Sequence, residues 1–231
     1  MEGDYSKTTE QAESSHAEGY KTTADNIYAH AEGNSTTASG PAAHAEGGGT
    51  VASGNSAHAE GQYTQATVQG SHAEGYKSEA TGSFSHAEGN ATKAIGNQSH
   101  AEGNASEATG NSSHAEGNTC KAMGSASHAE GYHTEAQAQM THAGGRNSKA
   151  KASGSFVHGN EVESGIEGVT GAKNGNFQAV FGEYNAVDND AAFIVGNGTG
   201  IYGRKNSFVS KRDGRAVVGA DPIGNMDVVT K

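Results

Sequence analysis

The chain has 231 residues, of which 35 are glycine and 2 are proline, and it contains no tryptophan and no leucine. Its formal net charge of −11, from 26 acidic and 15 basic residues, is the opposite of what phosphate binding needs, so nucleic acid is excluded as an expected partner. No apolar run approaches the roughly 20 residues of a membrane-spanning helix, so we expect no membrane insertion.

Residues 1–15 indicate an irregular first coil, and residues 16–154 contain ten copies of a 14-residue repeat without an insertion. With the histidine of S-H-A-E-G as position 0, every copy has alanine at +1 and +8 and glycine at +3, and nine copies have glutamate at +2. Position +6 is threonine or serine except for Cys120, which we interpret as a small packed side chain rather than a nucleophile. The repeat histidines are His16, His30, His44, His58, His72, His86, His100, His114, His128 and His142.

Each repeat alternates two short strands with two turns, because glycine supplies the positive φ angles of tight turns and is unfavourable in helices. Fourteen residues then form one coil of a β-solenoid, with strands of successive coils about 4.8 Å apart. Strand alternation directs the alanines at +1 and +8 into an interior lined by two alanine ladders. The histidine at position 0 and the glutamate at +2 point outward. The sequence therefore predicts an all-β parallel solenoid.

Residues 155–231 differ in composition, because valine, isoleucine and phenylalanine become frequent there. The coil pattern persists in altered form in F-V-H-G-N at 156–160, V-F-G-E-Y at 180–184 and I-V-G-N-G at 194–198. Residues 206–219 predict a β-hairpin that turns at Asp213-Gly214. We interpret residues 155–231 as a wider, valine-rich β cap that forms the junction to a further domain.

The S-H-A-E-G repeat resembles the head repeat of YadA-like trimeric autotransporter adhesins, whose motif is S-V-A-I-G followed by x-x-A-x-A-x-G. The resemblance implies a left-handed parallel β-roll in which three chains form an intertwined or side-by-side homotrimer. The H-A-E-G variant and the final M-D-V-V-T-K are more similar to tail-fibre and neck-appendage proteins of phages and prophages. Valine and isoleucine of the adhesin motif are replaced by histidine and glutamate here, and no coiled-coil stalk or membrane anchor is visible.

The histidines and glutamates are expected to form a hydrogen-bonded polar ladder that faces the other chains of the trimer. On this interpretation we expect stability through mild acid and its loss below about pH 4, where carboxylates protonate. Imidazole and carboxylate also bind divalent metals, and the residues that would best fit such a site are His86, Glu88, His100 and Glu102. The even repetition of the motif favours the structural ladder over a metal site. The predicted ladder consists of His16, His30, His44, His58, His72, His86, His100, His114 and His128 with Glu18, Glu32, Glu46, Glu60, Glu74, Glu88, Glu102, Glu116 and Glu130.

Position +4 follows the conserved glycine and varies among the copies. Tyr20, Tyr76 and Tyr132 occupy it in three repeats and Arg146 in another. Variable aromatic and polar residues on a regular scaffold suit contact with a receptor, although a solvated coil edge with scattered tyrosines has the same composition. These four residues are the candidate receptor contacts.

The sequence predicts a trimeric fibre or adhesin head segment that attaches to a glycan or protein receptor on a host-cell surface. The expected location is extracellular, on a virion tail or appendage or on a bacterial surface. The alternative is a purely structural shaft or spacer in an appendage whose receptor-binding or glycan-cleaving domain lies elsewhere. No catalytic triad, phosphate loop or aspartate-bearing calcium repeat is recognisable, so we expect neither enzymatic activity nor a cofactor.

Overall fold

Small and polar residues that alternate around each glycine form short parallel strands in the computed structural model of the chain. The structure describes residues 3, 5–8, 12–165, 176–219 and 225–228. Within these ranges every regular element is a β-strand, which confirms the all-β prediction. No helical segment among the described residues has the length and apolar character that crossing a membrane requires.

The chain divides into two compact units, Met1–Ser112 and Ser113–Lys231, each built from alternating long and short strands. The long strands of the first unit are β2 (His16–Tyr20), β4 (His30–Asn34), β6 (His44–Gly48), β8 (His58–Gln62), β10 (His72–Tyr76), β12 (His86–Asn90) and β14 (His100–Asn104). Its short strands are β1 (Lys7–Thr8), β3 (Thr23–Ala24), β5 (Thr37–Ala38), β7 (Val51–Ala52), β9 (Gln65–Ala66), β11 (Glu79–Ala80), β13 (Lys93–Ala94) and β15 (Glu107–Ala108).

The second unit continues this alternation and then changes to antiparallel strands. Its long strands are β16 (His114–Asn118), β18 (His128–Tyr132), β20 (His142–Arg146), β22 (Phe156–Asn160), β24 (Ala179–Glu183) and β25 (Ala191–Asn197). Its short strands are β17 (Lys121–Ala122), β19 (Glu135–Ala136), β21 (Lys149–Ala150) and β23 (Glu163–Ser164). The last strands are β26 (Asn206–Lys211), β27 (Ala216–Gly219) and β28 (Asn225–Val228).

Within each unit, the strands of the repeats pair in parallel so that identical positions of successive repeats lie side by side. His72 pairs with His58 on one side and His86 on the other, and Ala80 pairs with Ala66 and Ala94 in the same way. Long strands thus form one parallel sheet and short strands a second one. This arrangement is a parallel β-solenoid, as the sequence predicted.

Each coil consists of two similar halves of seven residues. The residues at positions −2 and +5 are seven apart and are the corners, where the backbone is left-handed with φ between 52° and 67° in the first unit. A backbone hydrogen bond to the preceding coil holds each corner, as from Ser35 N to Tyr20 O and from Ala42 N to Ile27 O. Because this conformation costs a non-glycine residue roughly 1–2 kcal/mol, the stacking of coils must impose it.

The interior of each coil contains four ladders of small side chains. The alanines at +1 and +8 are fully buried, which confirms their predicted orientation. The residues at −1 and +6, which are seven apart, are buried as well, except for the half-buried Ser15. The prediction of an interior lined by two alanine ladders was therefore incomplete. Several of the hydroxyls at −1 and +6 donate to carbonyls: Ser99 Oγ donates to Gly96 O at 2.6 Å and Ser78 Oγ donates to Gly89 O at 3.1 Å. Cys120 occupies the +6 ladder and is buried, as predicted.

Larger side chains replace alanine in the later coils of the second unit. Val157, Val180 and Ile194 follow Ala143 in register at position +1, and all are buried. Beyond them β25 pairs antiparallel with β26 and β26 with β27, and Gly214 lies in the turn at the predicted hairpin with φ of 89°. The predicted junction to a further domain falls mainly on residues 220–224 and 229–231, which lie outside the described residues.

Candidate functional site

The outer face of the long strands carries a column of stacked imidazole rings, as expected from side-chain alternation along a strand. From His30 to His100, successive ring centroids are 4.6–4.8 Å apart and the ring planes agree within 12°. His16 meets His30 edge-on, at 5.1 Å and 89°. The spacing of the rings equals the spacing of the strands, so the backbone register itself stacks the histidines.

A second column of rings runs along the outer face of the second unit. His114 stacks on His128 at 4.9 Å, His128 meets His142 edge-on at 5.0 Å, and His142 stacks on Phe156 at 4.3 Å. Phe181, Phe193 and Phe208 continue it at centroid distances of 5.5–6.0 Å. The column therefore changes from polar to apolar rings where the repeat ends.

The glutamates at +2 lie beside this column on the same face, as predicted. A hydrogen bond of 3.3 Å joins His16 Nε2 and Glu18 Oε2. In the next five coils, from His30–Glu32 to His86–Glu88, the corresponding distances are 3.7–4.0 Å, which is too long for a hydrogen bond. The predicted hydrogen-bonded ladder is therefore mostly an array of close histidine–glutamate contacts without hydrogen bonds, because stacking holds each ring in register with the next ring.

Burial and crowding lower the pKa of several histidines in this column. Partial desolvation is the largest cause for His30, His58, His72 and His86, and the neighbouring histidine is the next, while the glutamates raise the pKa and only partly offset these effects. The pKa of His142 is lowered for the same reasons. These imidazoles are therefore more difficult to protonate in the folded chain than in the unfolded chain.

We predict that stability decreases as the pH falls below about 6.5, the ordinary pKa of histidine. Above that pH both states are neutral at these histidines. Below it the unfolded chain takes up protons that the folded chain resists, until the lowered pKa of the folded state is reached.

Thermal melts between pH 8 and pH 4 test this prediction. A variant with His58, His72 and His86 changed to asparagine should show a smaller decrease in melting temperature over this pH range. A melting temperature that stays constant or rises between pH 7 and pH 5.5 would contradict the prediction. We therefore expect the loss to begin at a higher pH than the sequence suggested, because partial desolvation lowers the pKa of these histidines more than the glutamates raise it.

Three of the four candidate metal ligands come together. One ligand atom from each of His86, Glu88 and His100 lies within 4.8 Å of the others, as do those of the adjacent set His72, Glu74 and His86. Glu102 belongs to the next position of the same glutamate row, opposite Glu88 in the sheet. Each histidine of this column stacks on the next one in the same way. The same arrangement of two histidines and one glutamate therefore recurs in successive coils instead of forming one distinct metal centre.

The candidate receptor contacts lie at the exposed end of the long strands. Tyr20, Tyr76 and Tyr132 are each 40–47% exposed. Arg146 is exposed too, and it is the strand neighbour of Tyr132 in the second unit. The structure therefore brings Tyr132 and Arg146 together.

Two of these tyrosines in the first unit belong to matching clusters that the sequence interpretation missed. Tyr5 packs edge-on against Tyr20 at 5.9 Å, and Tyr63 packs edge-on against Tyr76 at 6.2 Å. The Nζ atoms of Lys21 and Lys77 lie 5.0 Å from the ring centroids of Tyr20 and Tyr76, a cation–π distance. The signal in the sequence was Tyr63 at +5, one coil before the Tyr76-Lys77 pair at +4 and +5. Tyr5 takes the same place only in the stacked structure, because the first coil is two residues longer and pairs Lys7 with Thr23.

No protein-family model matches the chain, and no curated protein matches it.

Proposed function

We propose that the chain is a segment of a homotrimeric attachment fibre, with a left-handed β-roll in each chain, that binds a receptor on a host-cell surface. It acts outside the cell, on a virion appendage or a bacterial surface, and by binding rather than catalysis. The observation that carries this proposal is the pair of matching Tyr-Tyr-Lys clusters in the first unit.

These clusters have the composition of a saccharide-binding surface. Exposed tyrosine rings offer rigid, amphipathic contact area at a low cost in conformational entropy. Lys21 and Lys77 add a positive charge beside each ring, which favours glycans that carry carboxylate or sulfate groups. The receptor class that fits best is therefore an acidic cell-surface glycan.

The repeated geometry supports attachment by many weak contacts. Tyr20 and Tyr76 are separated by four coils, so equivalent clusters lie about 19 Å apart at 4.8 Å per strand. Three chains would present six such clusters, and multivalent contact raises apparent affinity without any new contact. A long polysaccharide with regularly spaced acidic groups could engage several clusters at once.

The half-exposed histidine–glutamate face and the small interior support a trimer. The interior of the ten repeat coils holds only alanine, serine and threonine side chains and the single cysteine Cys120. A single chain therefore buries little apolar area per residue. The histidines from His30 to His86 are 35–39% exposed and their glutamate partners 35–52%. Packing this face against the equivalent faces of two other chains would bury the stacked rings.

Glycan-array binding by the purified protein tests the function. We expect binding to acidic glycans that falls by at least about tenfold when Tyr20 and Tyr76 are both changed to alanine, because each chain then loses both clusters. The matched control changes Tyr28 and Phe84 to alanine. These two residues are 65% and 59% exposed, lie at position −2 and are also four coils apart, so their loss should leave binding unchanged. Equal binding by wild type and the Tyr20/Tyr76 variant would contradict the assignment, and no binding to any glycan or host cell would favour a purely structural shaft.

A further inference from the structure

The repeat breaks at one position, and the break brings together residues from three successive coils of the second unit. Gly144 occupies position +2, where the other nine copies have glutamate. One coil earlier that position is Glu130, and one coil later it is His158, which pairs with Gly144 in the sheet. A carboxylate and an imidazole therefore flank a position that has no side chain.

The missing side chain opens the space in which these groups meet. A Cβ atom added to Gly144 would lie 2.4 Å from His158 Nδ1 and 2.9 Å from Glu130 Oε1. The φ angle of Gly144 is not in the left-handed region, so the backbone conformation does not require glycine at this position. A side chain at this position would obstruct the approach of His158 to Glu130.

His142 completes the cluster. Its Nε2 atom lies 3.3 Å from Glu130 Oε1, and His158 Nδ1 lies 3.6 Å from the same oxygen. The His142 Nε2 atom is shielded from solvent and has no hydrogen-bond partner of good geometry. The three ligand atoms of Glu130, His142 and His158 all lie within 4.8 Å of one another.

We propose that Glu130, His142 and His158 bind one divalent transition-metal ion of the zinc class. Zinc bonds to imidazole nitrogen and carboxylate oxygen are roughly 2.0–2.2 Å long, so neighbouring ligands of a tetrahedral ion are about 3.3–3.6 Å apart. The two distances from Glu130 Oε1, 3.3 Å to His142 Nε2 and 3.6 Å to His158 Nδ1, match this separation. Two nitrogens and one oxygen favour zinc, cobalt, nickel or copper over calcium and magnesium, which prefer oxygen ligands.

The site differs from the histidine column of the first unit. There, from His30–Glu32 to His86–Glu88, the glutamate oxygen lies 3.7–4.0 Å from the histidine of its own coil. Here one carboxylate oxygen lies between two histidines that present different nitrogens, Nε2 and Nδ1. Three protein ligands leave the fourth position of the ion open to water or to a ligand from outside the chain. This inference does not rest on the proposed function.

Titration calorimetry with Zn²⁺ tests the site, on the full chain prepared without a histidine tag and after treatment with a chelator. We expect one Zn²⁺ per chain, no comparable binding of Mg²⁺ or Ca²⁺, and a higher melting temperature with Zn²⁺. Co²⁺ should give the visible absorption of a four-coordinate ion. The variant Gly144→Glu restores the repeat residue and fills the space, and His158→Asn removes one ligand. Each should weaken binding by at least about tenfold.

The matched control is His86→Asn, which removes a ring from the histidine column and should leave the single site intact. Zn²⁺ binding that is unchanged in both Gly144→Glu and His158→Asn overturns the proposal. The proposal is also overturned if the wild-type protein binds no Zn²⁺. It is overturned as well if His86→Asn abolishes Zn²⁺ binding while His158→Asn leaves it intact. Melting curves without metal show whether each variant is folded. If Gly144→Glu is not folded, the Zn²⁺ affinity of His158→Asn alone decides whether the proposal holds.

Discussion

Changing Gly75 to valine should unfold the first unit or leave it far less stable than the wild type. Gly75 occupies position +3 with φ of 98°, a conformation that residues with a side chain rarely adopt. A Cβ atom there would lie 2.2 Å from the carbonyl oxygen of Gly89 in the next coil. Backbone strain and overpacking together should cost at least about 3 kcal/mol, a large fraction of the usual stability of a domain. Far-UV circular dichroism and thermal melting measure the loss.

Gly48→Val is the matched control for this change. Gly48 lies at position +4, one residue beyond the conserved glycine, and its φ is not in the left-handed region. A Cβ atom there would meet only Gln62 Cγ, at an ordinary 3.8 Å. Its melting temperature should stay within a few degrees of the wild type. Equal melting temperatures for the two variants would contradict the close approach of successive coils at position +3.

Changing Ala94 to leucine should force apart the two sheets of a coil. Ala94 is fully buried and lies between Ala80 and Ala108 in the short-strand sheet. The alanine ladder offers space only for a methyl group, so a leucine side chain would overpack it. Overpacking of a core typically lowers the free energy of unfolding by about 1–3 kcal/mol per site. A homotrimer contains the substitution three times, so the effect on its melting temperature should be conspicuous.

The neighbouring substitution Lys93→Leu separates overpacking from the general effect of a leucine in this strand. Lys93 is on the same strand but points to solvent, and its ion pair with Glu79, at 3.2 Å, joins two side chains that are more than a third exposed. Loss of such a pair costs at most about 1 kcal/mol. If Lys93→Leu proves as destabilising as Ala94→Leu, alanine does not face the interior.

The periodic positions were predictable from the sequence because a solenoid repeats one local environment. Alanine at +1 and +8 on alternating strands indicated the interior, and histidine and glutamate at 0 and +2 indicated the outer face. Apart from Cys120, the burial of positions −1 and +6 was not predicted, because serine and threonine are usually exposed. The available signal for their burial was that −1 and +6 are seven residues apart, as are the two corners at −2 and +5, so that each follows a corner. Ser78 and Ser99 accordingly reach carbonyls inside the coil.

Contacts that depend on two coils were harder to predict. The packing of Tyr63 on Tyr76 joins positions 13 residues apart, and the approach of Glu130 to His158 depends on a glycine between them. Neither contact follows from the pattern of one repeat. Departures from the repeat, such as Gly144 and His158, come into contact with other coils only in the stacked register.

The most direct test of the account is the mass of the folded protein in solution, measured by light scattering coupled to size-exclusion chromatography. One chain has a mass of 23.3 kDa, so the proposed homotrimer should have a mass close to three times that value. Melting of the same sample should be cooperative and shift with protein concentration, because association stabilises each chain. A well-folded monomer of 23.3 kDa would contradict the trimeric fibre, and with it the burial of the histidine–glutamate face between chains.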